Sequence, residues 1–237
     1  MSDLAAFQGH MTQMPATLLS LLGIPPPNRI PPRIEGIPSS LQSKHIIFAI
    51  FDNFGLLECT YYQPKFLIGK SEAILMLETE NPYTLHVLKE VVHGNPNADF
   101  NLLNFIAENG RRVTMIDRPE DISEIDVRVE TKPTDSDNKT YIETVKTLNR
   151  TDFLWIHFFD FENLYKQYSF RPPKEITQKL ISRTDKWLKV LHKQATPGTL
   201  MAVLGTHGRE RAPEIEYEGK YAEWKRASVP ICILIKK

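Results

Sequence analysis

Two uninterrupted apolar runs that stop abruptly at polar, glycine-bearing turns restrict the fold of this chain more than any other feature. Residues 45–51 read His-Ile-Ile-Phe-Ala-Ile-Phe and lead into Asp52-Asn53-Phe54-Gly55. Residues 199–204 read Thr-Leu-Met-Ala-Val-Leu and lead into Gly205-Thr206-His207-Gly208. Runs of this length without polar alternation mark strands buried on both faces, as in a parallel sheet covered by helices. In such sheets ligands collect at the carboxyl ends of the strands. An Asp at one strand end and a His at another are therefore placed to converge on one site.

The rest of the chain alternates in the same way. Residues 1–23 read as a helix with Met14, Leu18, Leu19, Leu21 and Leu22 on its apolar face. Pro25-Pro26-Pro27, Pro31-Pro32 and Pro38 then forbid regular structure and predict an extended strap packed on the domain. Further apolar pieces lie at 66–68 and 73–77. Pro82 sits where a helix starts, in its first turn. Residues 101–109 carry Leu102, Leu103, Phe105 and Ile106 at helical spacing, Gly110 stops them, and 112–117 reads as a strand. A polar loop over 131–140, a helix over 141–149, a buried strand over 152–159 and a long amphipathic helix over 174–193 follow. A last strand covers 229–235. Strands alternating with helices predict an α/β fold with a doubly wound, largely parallel sheet. The chain reads as a single domain over 1–237, with 1–44 as N-terminal helix and strap.

Composition excludes some partners. Lys plus Arg and Asp plus Glu each total 29, so no net charge draws the chain to nucleic acid or an anionic membrane. Cys59 and Cys232 lie in or beside apolar sequence without ligand spacing, and read as buried thiols in a reducing compartment. No stretch approaches a membrane span and no secretory pattern opens the chain, so a cytoplasmic location is expected. The apolar N-terminal helix and the strap offer a surface for self-association. Neither a Walker loop nor a Gly-x-Gly-x-x-Gly motif after a strand is present.

Three residues share one topological place: Asp52, Asp160 at the end of the run 153–159, and His207. Each alone has an ordinary reading, Asp52 as a helix cap or turn residue and His207 as a turn histidine. Together they favour a common pocket, and their oxygen and imidazole donors suit Zn²⁺, Mn²⁺ or Mg²⁺. His157 lies mid-strand and reads as a satisfied core residue. His86 and His93, seven apart on one helix, read as surface residues. Gly208-Arg209-Glu210-Arg211 reads as a solvated loop that can present guanidinium groups to a phosphate.

The order of these elements resembles the alkaline phosphatase superfamily. Residues 46–55 resemble its opening strand, with Asp52 as the metal-ligand Asp, and residues 15–25 resemble a leucine-rich segment that precedes it in some members. Asn81-Pro82-Tyr83-Thr84 resembles the helix start that carries the family nucleophile, which implies that role for Thr84. Asp160 matches a strand-ending Asp, and residues 203–208 match the Thr-Ser-Asp-His-Gly signature with His207 in register. The departures are specific. Thr206 stands where the family has Asp, Leu164 where it has His, and no histidine follows His207. A Thr hydroxyl does not replace the charge of a carboxylate ligand. The resemblance thus implies a centre reduced to one divalent ion or none, with Asp52, Thr84 and His207 in one half and Asp160 alone in the other.

Three readings follow. The chain is a degenerate member that binds a small phosphorylated ligand or a partner without catalysis. Alternatively, it is a metal-dependent phosphate-ester hydrolase using Thr84 as nucleophile. Or it is an unrelated α/β domain in which Asp52, Thr84 and His207 lie far apart.

Overall fold

The apolar runs become the centre of an eight-stranded sheet in the computed structural model, which describes residues 8–95, 99–169, 171–208 and 226–236. In chain order the strands are β1 (Gly9–His10), β2 (Ile46–Phe51), β3 (Ala73–Glu78), β4 (Val113–Asp117), β5 (Glu130–Pro133), β6 (Phe153–Phe158), β7 (Leu200–Gly205) and β8 (Ser228–Ile235). They lie side by side as β1-β3-β8-β7-β2-β6-β4-β5. Every neighbouring pair is parallel except the two made by β8, which runs antiparallel to β3 and β7.

The helices are α1 (Met14–Leu21), α2 (Leu56–Tyr62), α3 (Lys65–Lys70), α4 (Thr84–His93), α5 (Leu102–Glu108), α6 (Pro119–Ile125), α7 (Asp137–Thr147), α8 (Asp160–Gln167) and α9 (Lys174–Gln194). Side chains alternate across the sheet, so each central strand feeds two cores. Ile46, Phe48 and Ile50 of β2 pack on one face with residues of α1, α4 and α5, together with the strap residues Ile30, Ile34 and Ile37. Ile47, Ala49 and Phe51 pack on the other with Phe161 of α8 and Ile181, Leu188 and Leu191 of α9. The doubly wound, largely parallel sheet expected from the sequence is therefore present.

The boundaries differ in places. The helix read over 1–23 is an eight-residue α1, preceded by a 3-10 turn at Met11–Gln13 and the short β1, while residues 1–7 lie outside the described residues. Residues 131–133, read as loop, form most of β5, because an edge strand buries little and needs no apolar run. α7 begins at Asp137 rather than 141. The apolar piece 66–68 forms part of α3. Cys59 and Cys232 are buried free thiols.

The register levels the carboxyl ends of the central strands. Phe51 lies opposite Phe158 and Gly205, and Ile116 of β4 lies opposite Ile156. Asp117, His157, Asp52 and Thr206 therefore end four adjacent strands, and all four fall on the parity that faces the α1 and α4 side.

Candidate functional site

Three chain reversals build the site. After β2 the backbone turns at Asn53, whose φ of 53° is a conformation that Asn tolerates better than most side chains. Its N–H donates to the Thr206 hydroxyl at 3.3 Å. The turn then passes the end of β7 at backbone contact: a Cβ on Gly205 would collide with the Phe54 carbonyl, and one on Gly55 with the Gly208 backbone. Only glycine at both positions lets the two loops lie this close. α2 starts at once, its Gly55 N–H capped by the Glu58 carboxylate at 3.0 Å.

The third reversal delivers Thr84 to the first turn of α4, after Tyr83 as N-cap in extended conformation. Thr84 Oγ1 lies 3.3 Å from His207 Nε2. The His207 Nδ1–H donates to the Gly208 carbonyl at 2.9 Å, so in the neutral ring Nε2 is the acceptor for the Thr84 hydroxyl. These two residues line a cleft of about 270 Å³ with Asn53, Tyr83, Glu162, Lys166 and Arg226. Tyr83 stands at its edge, 63% exposed.

Asp52 lies beneath this cleft, fully buried, but its charged partners are protein cations. Its Oδ1 accepts from His157 Nε2 at 2.9 Å and from the Thr206 hydroxyl at 3.3 Å. Its Oδ2 accepts no hydrogen bond and faces the Arg118 guanidinium at 3.5 Å. The other ring nitrogen of His157 lies 2.7 Å from Asp117 and 3.5 Å from Asp121. Asp117 is held in addition by the Trp155 indole at 2.9 Å and the Arg118 N–H at 2.7 Å.

Burial works against charge on His157, but the carboxylates of Asp117 and Asp52 outweigh it and raise its pKa well above the ordinary value. Burial likewise works to raise Asp52, and the charge and hydrogen bond of His157, with Arg118, bring it below the usual range. Asp121 is lowered to about 2, burial being overcome by His157 and Arg118. For Asp117 burial prevails and the pKa is raised. The result is an imidazolium clamped between ionised or proton-sharing carboxylates.

The expected site residues are thus only partly brought together. Thr84 and His207 meet, and Asp52 lies close enough to feel the charge of His207. Asp160 does not join them. It is the first residue of α8, follows the even-numbered residues of β6 toward the other face, and pairs with Arg183 of α9 at 2.8 Å. Arg183 also binds the buried Asp137 at 2.9 Å. Arg209, Glu210 and Arg211 lie outside the described residues.

The residues fit a two-metal centre poorly. Thr206 is neutral, Leu164 has no donor atom, Asp160 is engaged elsewhere, and both sides of Asp52 face fixed cations. Asp117, Asp121 and His157 do offer ligand atoms within 4.8 Å of one another, a group able to hold a divalent ion. In this structure they serve one another, and Arg118 Nε occupies Asp121 at 2.6 Å. His157 is the satisfied core residue its mid-strand place implies, with both nitrogens engaged. Arg118 carries no motif, and only its place one residue beyond β4 marks it.

No protein-family model matches the chain, and no curated protein matches it. Solved structures do. The C-terminal periplasmic domain of EptC from Escherichia coli, in a complex with Zn, superposes with a TM-score of 0.59 at 12% identity, over 82% of this chain and 73% of that one. A protein in the alkaline phosphatase superfamily from Vibrio parahaemolyticus gives 0.55 at 13%, over 82% and 60%. An inactive form of murine ectonucleotide pyrophosphatase/phosphodiesterase 5 in complex with AMP gives 0.51 at 12%, over 75% and 62%. This chain thus spans less than two thirds of the last two. Identities this low establish the fold alone, and that fold is the alkaline phosphatase one, as the sequence resemblance implied.

Proposed function

We propose that this chain is an alkaline phosphatase-like binder of small phosphorylated ligands that does not turn over phosphate esters. One observation carries the reading: the carboxylate a catalytic metal would need, Asp52, is taken by His157 at 2.9 Å and faced by Arg118 at 3.5 Å. A two-metal mechanism requires ions on both the attacking and the leaving oxygen, and the remaining donors do not suffice for that.

The cleft keeps groups that suit an oxyanion. The first amides of a helix have no intrahelical acceptor and lie at the positive end of its dipole, so an anion beside Thr84 meets donors. Arg226 and Lys166 line the same cleft, with Lys166 shared by Glu162 at 2.8 Å. AMP bound to the murine phosphodiesterase supports a phosphorylated ligand as the class to try.

The second reading, a metal-dependent hydrolase with Thr84 as nucleophile, draws on the 3.3 Å approach of Thr84 to His207. Calorimetry with inorganic phosphate and AMP in chelator, beside assays of bis(p-nitrophenyl) phosphate with added Zn²⁺, Mn²⁺ or Mg²⁺, separates the two. Saturable binding in chelator without metal-stimulated turnover is expected. Metal-dependent turnover lost in Thr84→Ala establishes the hydrolase instead, and absence of saturable binding ends the ligand proposal.

A further inference from the structure

We propose that Asp117, Asp121 and His157 form a buried site for one Zn²⁺ ion, on the side of the His157 ring that faces away from Asp52. The assignment goes beyond the ligand-binding reading of the cleft and stands without it.

The donor atoms are already gathered. His157 Nδ1 lies 2.7 Å from Asp117 Oδ1 and 3.5 Å from Asp121 Oδ2, and one ligand atom from each residue falls within 4.8 Å of the others. Zinc bonds of about 2.0–2.2 Å at tetrahedral angles set neighbouring donors about 3.3–3.6 Å apart. The longer edge fits as it stands. The shorter one is a hydrogen bond, and it lengthens by about half an ångström when an ion replaces its proton. Asp117 ends β4, Asp121 lies in α6 just after it, and His157 is on the neighbouring strand β6, so the sheet register itself assembles the group.

A second observation lies outside the three residues. Each of them is braced from behind: His157 Nε2–H donates to Asp52 at 2.9 Å, the Trp155 indole donates to Asp117 Oδ2 at 2.9 Å, and Arg118 Nε donates to Asp121 Oδ2 at 2.6 Å. A zinc-binding histidine characteristically gives its other N–H to a carboxylate, and ligating carboxylates are hydrogen-bonded in turn. The bond to Asp52 fixes the ring so that Nδ1 is the nitrogen turned to the two acids. A neutral imidazole has one N–H to give, yet both nitrogens of this one face carboxylates.

The balance of charge points the same way. Asp52, Asp117, Asp121 and Glu162 share the buried cations His157 and Arg118, and Lys166, which also meets Glu162, is largely in solvent. Loading exchanges the Nδ1 proton of His157, released to solvent, for a divalent ion, and so adds one positive charge where acids are in excess. Two carboxylates and an imidazole suit zinc, with water in the fourth position.

The test is zinc uptake by the metal-stripped chain, read by competition with a chromophoric chelator. Wild type is expected to bind one Zn²⁺ more tightly than about 10 µM. Asp117→Asn and Asp121→Asn should each weaken it at least about tenfold, while Thr84→Ala and His207→Ala stay within about twofold. Weaker binding by the wild type overturns the assignment. So does binding that both acid variants leave unchanged, or that His207→Ala abolishes, which puts the ion in the cleft. Should neither acid variant fold, the ring-nitrogen resonances of the ¹⁵N-labelled wild type decide: zinc is expected to move His157 Nδ1 and leave His207 in place, and any other pattern overturns the site.

Discussion

His157 Nε2 donates to Asp52 Oδ1 across 2.9 Å, joining the carboxyl ends of two adjacent parallel strands with both side chains fully buried. The pair sits under a cleft whose walls come from other elements, so its first duty is structural. His157→Ala would leave Asp52 and Asp117 buried without the cation between them. Breaking a buried ion pair from one side costs on the order of 3–5 kcal/mol. Urea denaturation should show a loss of that size, and a loss below about 1 kcal/mol would mean that the clamp contributes little.

Thr84 and His207 touch each other at the cleft, while Asp160 is bound to Arg183 on the other side of the sheet. Thr84→Ala and His207→Ala are each expected to weaken phosphate binding about tenfold to a hundredfold, the usual worth of one hydrogen bond to a charged ligand. Asp160→Ala should leave the affinity within about twofold, since such distant sites act independently. Calorimetric titration of the three variants checks this. An effect of Asp160→Ala equal to that of Thr84→Ala would refute the placement.

Glu90 on α4 is 1% exposed, and burial raises its carboxyl from 4.5 to about 7. The hydrogen bond from Thr79 opposes that rise, and the charge of Glu80 adds to it. A raised native pKa means that the folded state holds a proton that the unfolded state has released. Stability from this group is therefore greatest below about pH 4.5, falls as pH rises to about 7, and then levels, by about 3 kcal/mol in total. Glu90→Gln should flatten that slope and be the more stable protein at pH 8. Denaturation curves at pH 5, 6 and 8 that stay parallel for the two proteins would contradict it.

A Cβ at position 205 has nowhere to go, because the obstructing atom is the backbone carbonyl of Phe54. Gly205→Ala is expected to cost about 3 kcal/mol or more, at the upper end of overpacking effects, and to displace His207. Gly69→Ala in α3, where nothing lies within 4 Å, should instead be stabilising by about 0.5–1 kcal/mol. Thermal melts followed by circular dichroism compare the two directly.

Much of the sheet was legible because burial on both faces leaves a plain mark. Residues 46–51, 153–158 and 200–205 bury every position, and apolar sequence is what such a strand must have. β5 was not legible, since an edge strand carrying Lys132 and Pro133 leaves no such pattern. Within the site, the place of His207 followed from strand-end logic, and that of Thr84 from the resemblance to a helix start. The separation of Asp160 depended on a single step of parity at the start of α8. The strongest unread signal was also parity: Asp52, Asp117, His157 and Thr206 all fall on the same face of their strands. Arg118 left no trace, because its role comes from reaching across three elements that the sequence keeps far apart.

The position of β8 has a consequence for how the protein is made. β1 and β3 pair with each other, and among the described residues β8 alone joins them to the remaining five strands. A ribosome delivers that strand after the other seven, so until it emerges the sheet exists as two fragments with exposed edges. Completion of the fold must therefore wait for a long-range pairing, which is slow and leaves such edges open to wrong partners. Of the eight strands described, the one that follows the other seven in the chain is the one that joins the sheet.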